Sequence, residues 1–284
     1  MSLQFQLIGY PIKHSLSPWI HERFLSKANL QGTYEINEID LQDSFEDRIM
    51  EMKNNKKLNG FNVTVPYKQK IIPYLDSLDK HAEKLGAVNT VLINKDGKWI
   101  GYNTDSTGYV RALETKYPEL TKERKSKHVL ILGAGGAARG IYCGLDFAGY
   151  VNIDIANRTT EKAREIAELR SESTNTKILT LKEVESDLSK YDIIIQTTSV
   201  GMKPNIKNTI ISLNSLKPDV IVSDIVYQPI KTKFLKEAEE LGARIHFGHT
   251  MLLYQGLYAF EIWTGLSIDI KNMDEKLQQV LEGR

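Results

Sequence analysis

The sequence predicts an α/β chain of two domains, the second of them doubly wound, and three observations carry that expectation. The chain has 284 residues, enough for two ordinary domains of roughly 100–200 residues each. Strand-like and helix-like segments alternate along it, the pattern that builds a largely parallel sheet. After a polar, charged stretch at residues 115–127 the character changes abruptly. A short apolar strand, a glycine-rich turn, a helix and a second strand then follow within about thirty residues, the size of a βαβ unit.

The elements follow in order. FQLIGYPI reads as a strand, PWIHERFLSKANL as a helix, GTYEINEID as a strand and NGFNVTVP as another. VNTVLINKDGKWIGYN reads as a hairpin turning at Asp96-Gly97. Residues 115–127 read as a surface loop. Beyond the βαβ unit, YDIIIQTT, PDVIVSDIVY and ARIHFG are strand candidates, KTKFLKEAEELG is a helix, and TMLLYQGLYAFEIWTG has helical apolar spacing. The expected division is a first domain of residues 1–107 completed by helices at 250–284, and a second domain of residues 108–249.

Composition excludes several classes. Lys and Arg total 37 against 36 Asp and Glu, a balance that argues against nucleic acid or an anionic membrane as the main partner. No run approaches the ~18 apolar residues of a membrane span, and the N-terminus lacks the basic and apolar regions of a signal peptide. Cys143 is the only cysteine, so no internal disulfide forms, which suits a reducing cytoplasm. It reads as a packed thiol in a helix. Six histidines and one cysteine show no metal-ligand spacing.

Gly133, Gly135 and Ala138 satisfy G-x-G-x-x-A directly after the strand HVLIL and at the start of a helix. The first glycine permits a tight turn, the second a close backbone approach to a pyrophosphate, and the alanine close packing of helix on strand. The helix start offers free N–H groups and a positive dipole end to phosphates. The second strand ends in Asn157-Arg158-Thr159, with Lys162 nearby, where NAD sites usually carry Asp or Glu. Arg158 can stack on adenine and pair with a 2′-phosphate, and Thr159 can donate a hydroxyl. Asp154 lies three residues too early to interfere. NADP is the expected cofactor, the alternative being Arg158 as a solvated loop charge.

A second set of residues is chemically suggestive. Ser15 and Ser17 flank the start of a helix opened by Pro18 and would cradle a carboxylate, although Ser17 fits equally an N-cap. Lys68 follows a strand-to-helix junction at Pro66, the position where α/β sheets hold ligands. Thr64 sits on the same segment. Asp105 reads as a functional carboxylate or as the N-cap of STGYVRALE; Asn89 as a ligand or a turn residue; Gln255 as a ligand or one polar face of the last long helix.

HSLSP, NVTVPYK, GAVNT, GYNTD, GAGGAA, NRT, TTSVGM, DIVYQP and GHTMLLYQG occur in this order along almost the whole chain. Together they resemble the shikimate dehydrogenase family. The resemblance implies an N-terminal substrate domain, a Rossmann-type NADP domain and an active site in the cleft between them. It implies that Ser15 and Ser17 bind a substrate carboxylate with Tyr227 close by. Thr64, Asn89, Asp105 and Gln255 would surround ring hydroxyls, and Lys68 would be the acid/base, held by Asp105. Gly133, Ala134, Gly135, Gly136 and Ala137 would face the pyrophosphate. Asn157, Arg158, Thr159 and Lys162 would face the 2′-phosphate, and Ile225 and Gly248 would border the nicotinamide. Lys162 departs from the arginine common in the family and loses its planar fork.

The implied reaction is NADPH-dependent reduction of 3-dehydroshikimate to shikimate. A broader quinate/shikimate dehydrogenase is the nearest alternative. A catalytically silent ligand sensor would be expected to lack Lys68 or Asp105, and both are present. A folate-linked dehydrogenase would leave HSLSP and NVTVPYK unexplained together.

Overall fold

The computed structural model describes residues 2–283, which fall into two compact units. The first runs to Asp105 and resumes over Gln255–Lys271; the second is Ser106–Tyr254 and continues from Asn272. The divisions differ from the expected ones by a few residues, and the segment after Asn272 groups with the second unit rather than the first.

The first unit opens with β1 (Leu3–Gly9), α1 (Ser17–Lys27), β2 (Gly32–Glu38), α2 (Phe45–Asn54) and β3 (Leu58–Val63). Ile20, Phe24 and Leu25 recur at helical spacing on α1 and are buried, which fixes that helix against the sheet. Helix α2 lies outside the elements expected from sequence. Its cues are the Ser44 side chain, which accepts the Asp47 N–H, acidic Glu46 and Asp47 in the first turn, and buried Ile49 and Met52. Then come β4 (Ser77–Leu78), α3 (Lys80–Leu85), and the antiparallel pair β5 (Thr90–Ile93) and β6 (Trp99–Tyr102). The sheet order is β2-β1-β3-β5-β6-β4. It is mixed: β1 pairs in parallel with β2 and β3, whereas β5 runs antiparallel to β3 and β6. The hairpin is the reason, because its two strands must run in opposite directions.

One face of this sheet packs Ile8, Phe61, Val63 and Trp99 over Ile49 and Met52 of α2. Elsewhere in the unit, Trp263 stacks on Phe5 with centroids 4.4 Å apart, and its indole Nε1 donates to the Val91 carbonyl at 2.9 Å.

The second unit contains α4 (Thr104–Lys116, whose first two residues belong to the first unit), α5 (Leu120–Glu123), β7 (His128–Leu132), α6 (Gly136–Ala148), β8 (Asn152–Ala156) and α7 (Thr160–Ala167). It continues with β9 (Ile178–Leu179), α8 (Leu181–Glu185), β10 (Ile193–Gln196), β11 (Ile221–Asp224), α9 (Lys233–Glu240) and β12 (Arg244–Phe247). Helix α10 (His249–Thr264) crosses into the first unit at Gln255, and α11 (Met273–Leu281) ends the described chain. The 115–127 stretch is not the expected loop: it finishes α4 and forms α5, because Tyr117 and Leu120 are buried among its charges.

All six strands of the second sheet are parallel, in the order β12-β11-β10-β7-β8-β9. From β7 the chain winds outward to β8 and β9, then returns to β10 on the other side. That reversal creates a switch point between β7 and β10, where ligands of such sheets bind beyond the carboxyl ends of the strands. Ile193, Ile194 and Ile195 are all fully buried, as expected of a strand covered on both faces. No helix among the described residues is long and apolar enough to cross a membrane.

Replacing Trp263 with Ala removes the stack on Phe5 and leaves the Val91 carbonyl without its donor. The expected cost is about 3–5 kcal/mol, read as a lower midpoint of chemical unfolding followed by circular dichroism.

Candidate functional site

In the first unit, three chain segments are laced together by backbone bonds. Val88 donates to the Lys68 carbonyl at 2.8 Å, Asn89 to the Tyr102 carbonyl at 3.0 Å, and Val63 to the Asn89 carbonyl at 2.8 Å. The Asn103 amide adds a bond to the Ala87 carbonyl at 2.9 Å. This lacing brings the Lys68 Nζ to 2.5 Å from Asp105 Oδ2, each side chain about three-quarters buried. Asp105 is therefore not the N-cap. Helix α4 begins at Thr104, and the Asp105 N–H is taken by Asn103 Oδ1 at 3.2 Å.

Ser17 is not a cap either, since α1 starts at Ser17 itself and its N-cap position, Leu16, makes no side-chain cap bond. The Ser15 hydroxyl accepts the Ser17 N–H at 3.2 Å and donates to the Ser17 hydroxyl at 3.1 Å, so the two serines sit side by side. Thr64 lies just beyond β3, its N–H on the Ile8 carbonyl and its methyl against Gly9. Gln255 is half-buried on α10.

Asn89 is nine-tenths and more buried, and its oxygen is already occupied. Oδ1 accepts the Thr104 N–H at 2.8 Å and the Thr90 hydroxyl at 3.0 Å, while the amide nitrogen donates to Thr104 Oγ1 at 3.0 Å. Its first role is thus to anchor the start of α4.

Behind these residues runs a buried hydrogen-bond chain that the sequence did not lead us to expect. Ser17 bonds to the Tyr34 hydroxyl, which burial makes less acidic and Ser17 makes more so. Tyr34 donates to Asn62 Oδ1 at 2.7 Å, and the Asn62 amide donates to Thr90 Oγ1 and to the Asn89 carbonyl, both at 3.0 Å. The two serines and the Asn89–Thr104 anchor are consequently ends of one network. Asn62 stands in the NVTVPYK segment, but alternation alone gave no sign that its amide would be a buried hub. His21 stacks on Tyr34 at 4.3 Å with its ring nearly parallel. Neither ring nitrogen completes a hydrogen bond among the described residues. Burial pushes its pKa down to about 3, with the neighbouring Asn62 opposing the fall.

The second unit carries the glycine turn at the end of β7. Gly133 has φ +112° and a Cβ there would meet Thr197 Oγ1 at 2.7 Å, so only glycine fits. Ala134 follows it into the turn. No atom lies within 4 Å of where a Cβ would stand at Gly135 or Gly136, which leaves the backbone open to a ligand. Helix α6 has no side-chain cap, and Gly136 and Ala137 open it, so its first N–H groups are free for a pyrophosphate. Buried Ala138 packs the helix on the strand.

At the end of β8, the Asn157 amide donates to the Thr159 carbonyl at 2.8 Å and shapes the turn. Thr159 occupies the N-cap of α7 without bonding to it, so its hydroxyl and the helix start stay available. Arg158 and Lys162 are exposed, and neither joins an ion pair among the described residues. Uncapped N–H groups, a hydroxyl and two cations make a fitting receptor for a 2′-phosphate. Ile225 and Tyr227 follow β11, with Tyr227 partly exposed, and Gly248 follows β12. No group of three or more metal-ligating side chains could hold a metal ion among the described residues.

A parallel sheet with an open glycine turn at its switch point and a basic, uncapped helix start past the second strand defines a dinucleotide-binding α/β protein. Family models refine this: residues 7–91 match the shikimate dehydrogenase substrate binding domain and 117–226 match shikimate/quinate 5-dehydrogenase. Residues 248–278 match the shikimate 5′-dehydrogenase C-terminal domain. Shikimate dehydrogenase (NADP(+)) of Oceanobacillus iheyensis is 52% identical over the full length of both chains. The chain belongs to the shikimate dehydrogenase family. Among solved structures it is similar to shikimate 5-dehydrogenase from Thermus thermophilus in complex with NADP(H) and shikimate, at TM-score 0.83 and 32% identity over 98% of this chain and 99% of that one. It is similar too to the Listeria monocytogenes enzyme in complex with shikimate and NAD, at TM-score 0.86 and 35% identity over 99% and 96%.

The buried His21 sets a pH dependence. It stays neutral when folded, whereas the unfolded chain takes up a proton below pH 6.5. Its contribution to stability is whole above pH 6.5 and falls by ~1.4 kcal/mol per pH unit as acid is added, down to about pH 3. The difference in unfolding free energy between the native chain and His21→Phe should therefore move by ~2 kcal/mol between pH 6.5 and 5. A constant difference would show that His21 takes up its proton in the fold as it does in the unfolded chain.

Proposed function

We propose that this chain catalyses the NADPH-dependent, reversible reduction of 3-dehydroshikimate to shikimate. The observation that carries the reading is the Lys68–Asp105 contact at 2.5 Å, held in the unit that matches the family's substrate binding domain. The relatives named as NADP(+) enzymes support the cofactor, as does the basic, carboxylate-free turn after β8.

The adjacent hydroxyls of Ser15 and Ser17 receive the substrate carboxylate, with Tyr227 near it. Thr64, Gln255 and Asp105 bond the ring hydroxyls, and Asn89, its oxygen occupied, offers its second amide N–H. Bound NADPH supplies the hydride to the ring ketone carbon. Alkoxide character then develops on the ketone oxygen, and the Lys68 ammonium donates the proton that neutralises it. Asp105 holds that ammonium in place while accepting from a substrate hydroxyl. In the oxidative direction Lys68 takes the proton back. Gly133, Ala134, Gly135, Gly136 and Ala137 would hold the pyrophosphate, Asn157, Arg158, Thr159 and Lys162 the 2′-phosphate, and Ile225 and Gly248 would border the nicotinamide. A chain with one buried thiol fits the cytoplasm.

NADPH oxidation by the purified chain with 3-dehydroshikimate, repeated with NADH and with 3-dehydroquinate, tests substrate and cofactor together. Turnover on 3-dehydroquinate alone would refute the reading. Lys68→Ala should lower kcat by at least ~10²-fold with KM little changed, since general acid catalysis acts in the transition state. A near-normal kcat in that variant removes Lys68 from the mechanism. Arg158→Ala should raise KM for NADPH roughly tenfold, the loss of one charge-assisted bond, and leave NADH kinetics nearly untouched. Equal losses for both cofactors would dissociate Arg158 from the 2′-phosphate.

A further inference from the structure

Asp224 is the last residue of β11, at the carboxyl edge of the parallel sheet, and it is fully buried. Three neutral donors satisfy it. Oδ1 accepts Gln196 Nε2 at 3.1 Å and the Val226 N–H at 2.9 Å, and Oδ2 accepts the Thr232 hydroxyl at 2.7 Å. No cation pairs with it among the described residues. Burial pushes its carboxyl up to about 6, and the three hydrogen bonds oppose that shift. Taking a carboxylate out of water without a cation is costly, and the adjacent Ser223, itself fully buried, spends its hydroxyl on Tyr109 and His246 rather than on Asp224. A group retained at such a cost, beside a ligand-binding edge, is a candidate for function.

What the carboxylate holds is specific. Gln196, at the end of β10, donates to the Val200 carbonyl at 3.1 Å and accepts the Thr198 hydroxyl at 2.7 Å and the Thr198 N–H. It therefore shapes the loop from Thr197 to Met202, whose first residue also packs on Gly133 of the dinucleotide turn. Thr232 caps α9 through the Leu235 N–H at 3.3 Å, at the far end of the loop that begins with Ile225. Ile225 itself is fixed on both sides. Its N–H reaches the Gln196 carbonyl at 3.1 Å, and its own carbonyl lies too close to Gly248 for a Cβ to stand there. The next N–H, from Val226, goes to Asp224. One carboxylate thus ties together the ends of β10 and β11 and the start of α9.

We propose that Asp224 is a positioning residue for hydride transfer, clamping the Ile225–Val226 backbone and the 197–202 loop into the shape that receives the nicotinamide ring. The proposal rests on the reading above that Ile225 borders that ring. An asparagine keeps the two bonds at Oδ1 but turns an amide N–H toward Thr232 Oγ1, which in the native chain donates there. It reverses one bond of the clamp without changing its volume.

The test uses the full-length chain carrying Asp224→Asn, with Thr232→Val as a second variant and Thr232→Ser as its conservative partner. Bound NADPH fluorescence reports the surroundings of the nicotinamide, and 2′,5′-ADP affinity reports the other end of the cofactor. Turnover with 3-dehydroshikimate is followed with NADPH and with NADPH deuterated at the transferred position. We expect Asp224→Asn to change the bound-NADPH emission, lower kcat at least tenfold and raise the deuterium isotope effect. The thermal midpoint should hold or rise, and 2′,5′-ADP affinity should stay within twofold. Thr232→Val should reproduce the effect in weaker form, and Thr232→Ser should reverse it. Unchanged emission and isotope effect in both Asp224→Asn and Thr232→Val overturn the proposal, as does a fall in kcat that follows only a fall in thermal midpoint. If the native chain reduces no shikimate-type ketone, the substrate reading fails, and the fluorescence and 2′,5′-ADP arms still decide the role of Asp224.

Discussion

The first unit is organised around a single contact, the Lys68 ammonium on the Asp105 carboxylate. Neither residue is placed by its own secondary structure. Lys68 sits after a strand and before a short helical turn, and Asp105 sits in the first turn of α4. They meet because Val88, Asn89 and Asn103 bridge the intervening segments with hydrogen bonds that β3, β5 and β6 cannot themselves supply. Loosening that lacing would free both side chains into solvent, where such a pair has little worth.

Behind the contact lies a polar layer inside an otherwise apolar core. Buried amides and hydroxyls are tolerated only when their partners are present, and Tyr34, Asn62, Thr90, Asn89 and Thr104 complete one another. The result is that the paired serines at the start of α1 and the carboxylate at the start of α4 answer to one rigid network. His21 is the exception, a neutral ring packed among aromatics with its nitrogens unpaired. Its place is explained by stacking rather than by hydrogen bonding.

The second unit solves a different problem. Anionic ligands need donors that cost nothing to aim, and α6 and α7 begin without side-chain caps, leaving their first N–H groups open. The parallel sheet brings those starts to one edge, and the same edge carries the buried Asp224–Gln196 knot.

Much of this was legible in the order of residues. The βαβ unit followed from an apolar run, a glycine turn and a period change, because steric and hydrogen-bond rules at such turns are local. The exposed basic residues after β8 were equally readable in their place, since they follow directly on the second strand of that unit. Helix α2 and the helical character of residues 115–127 depended on burial, which charge-rich sequence conceals. Reading Ser17 and Asp105 as possible caps reflected a real local preference, and the earlier start of each helix, α1 at Ser17 and α4 at Thr104, removed it. By itself the sequence determined which chemistry was on offer: hydroxyls, an ammonium, carboxylates and a phosphate-binding turn. Only the tertiary structure decided which of them meet. Residues far apart in the chain, such as Tyr34 and Asn62 or Gln196 and Asp224, become partners through packing and not through any pattern in their spacing.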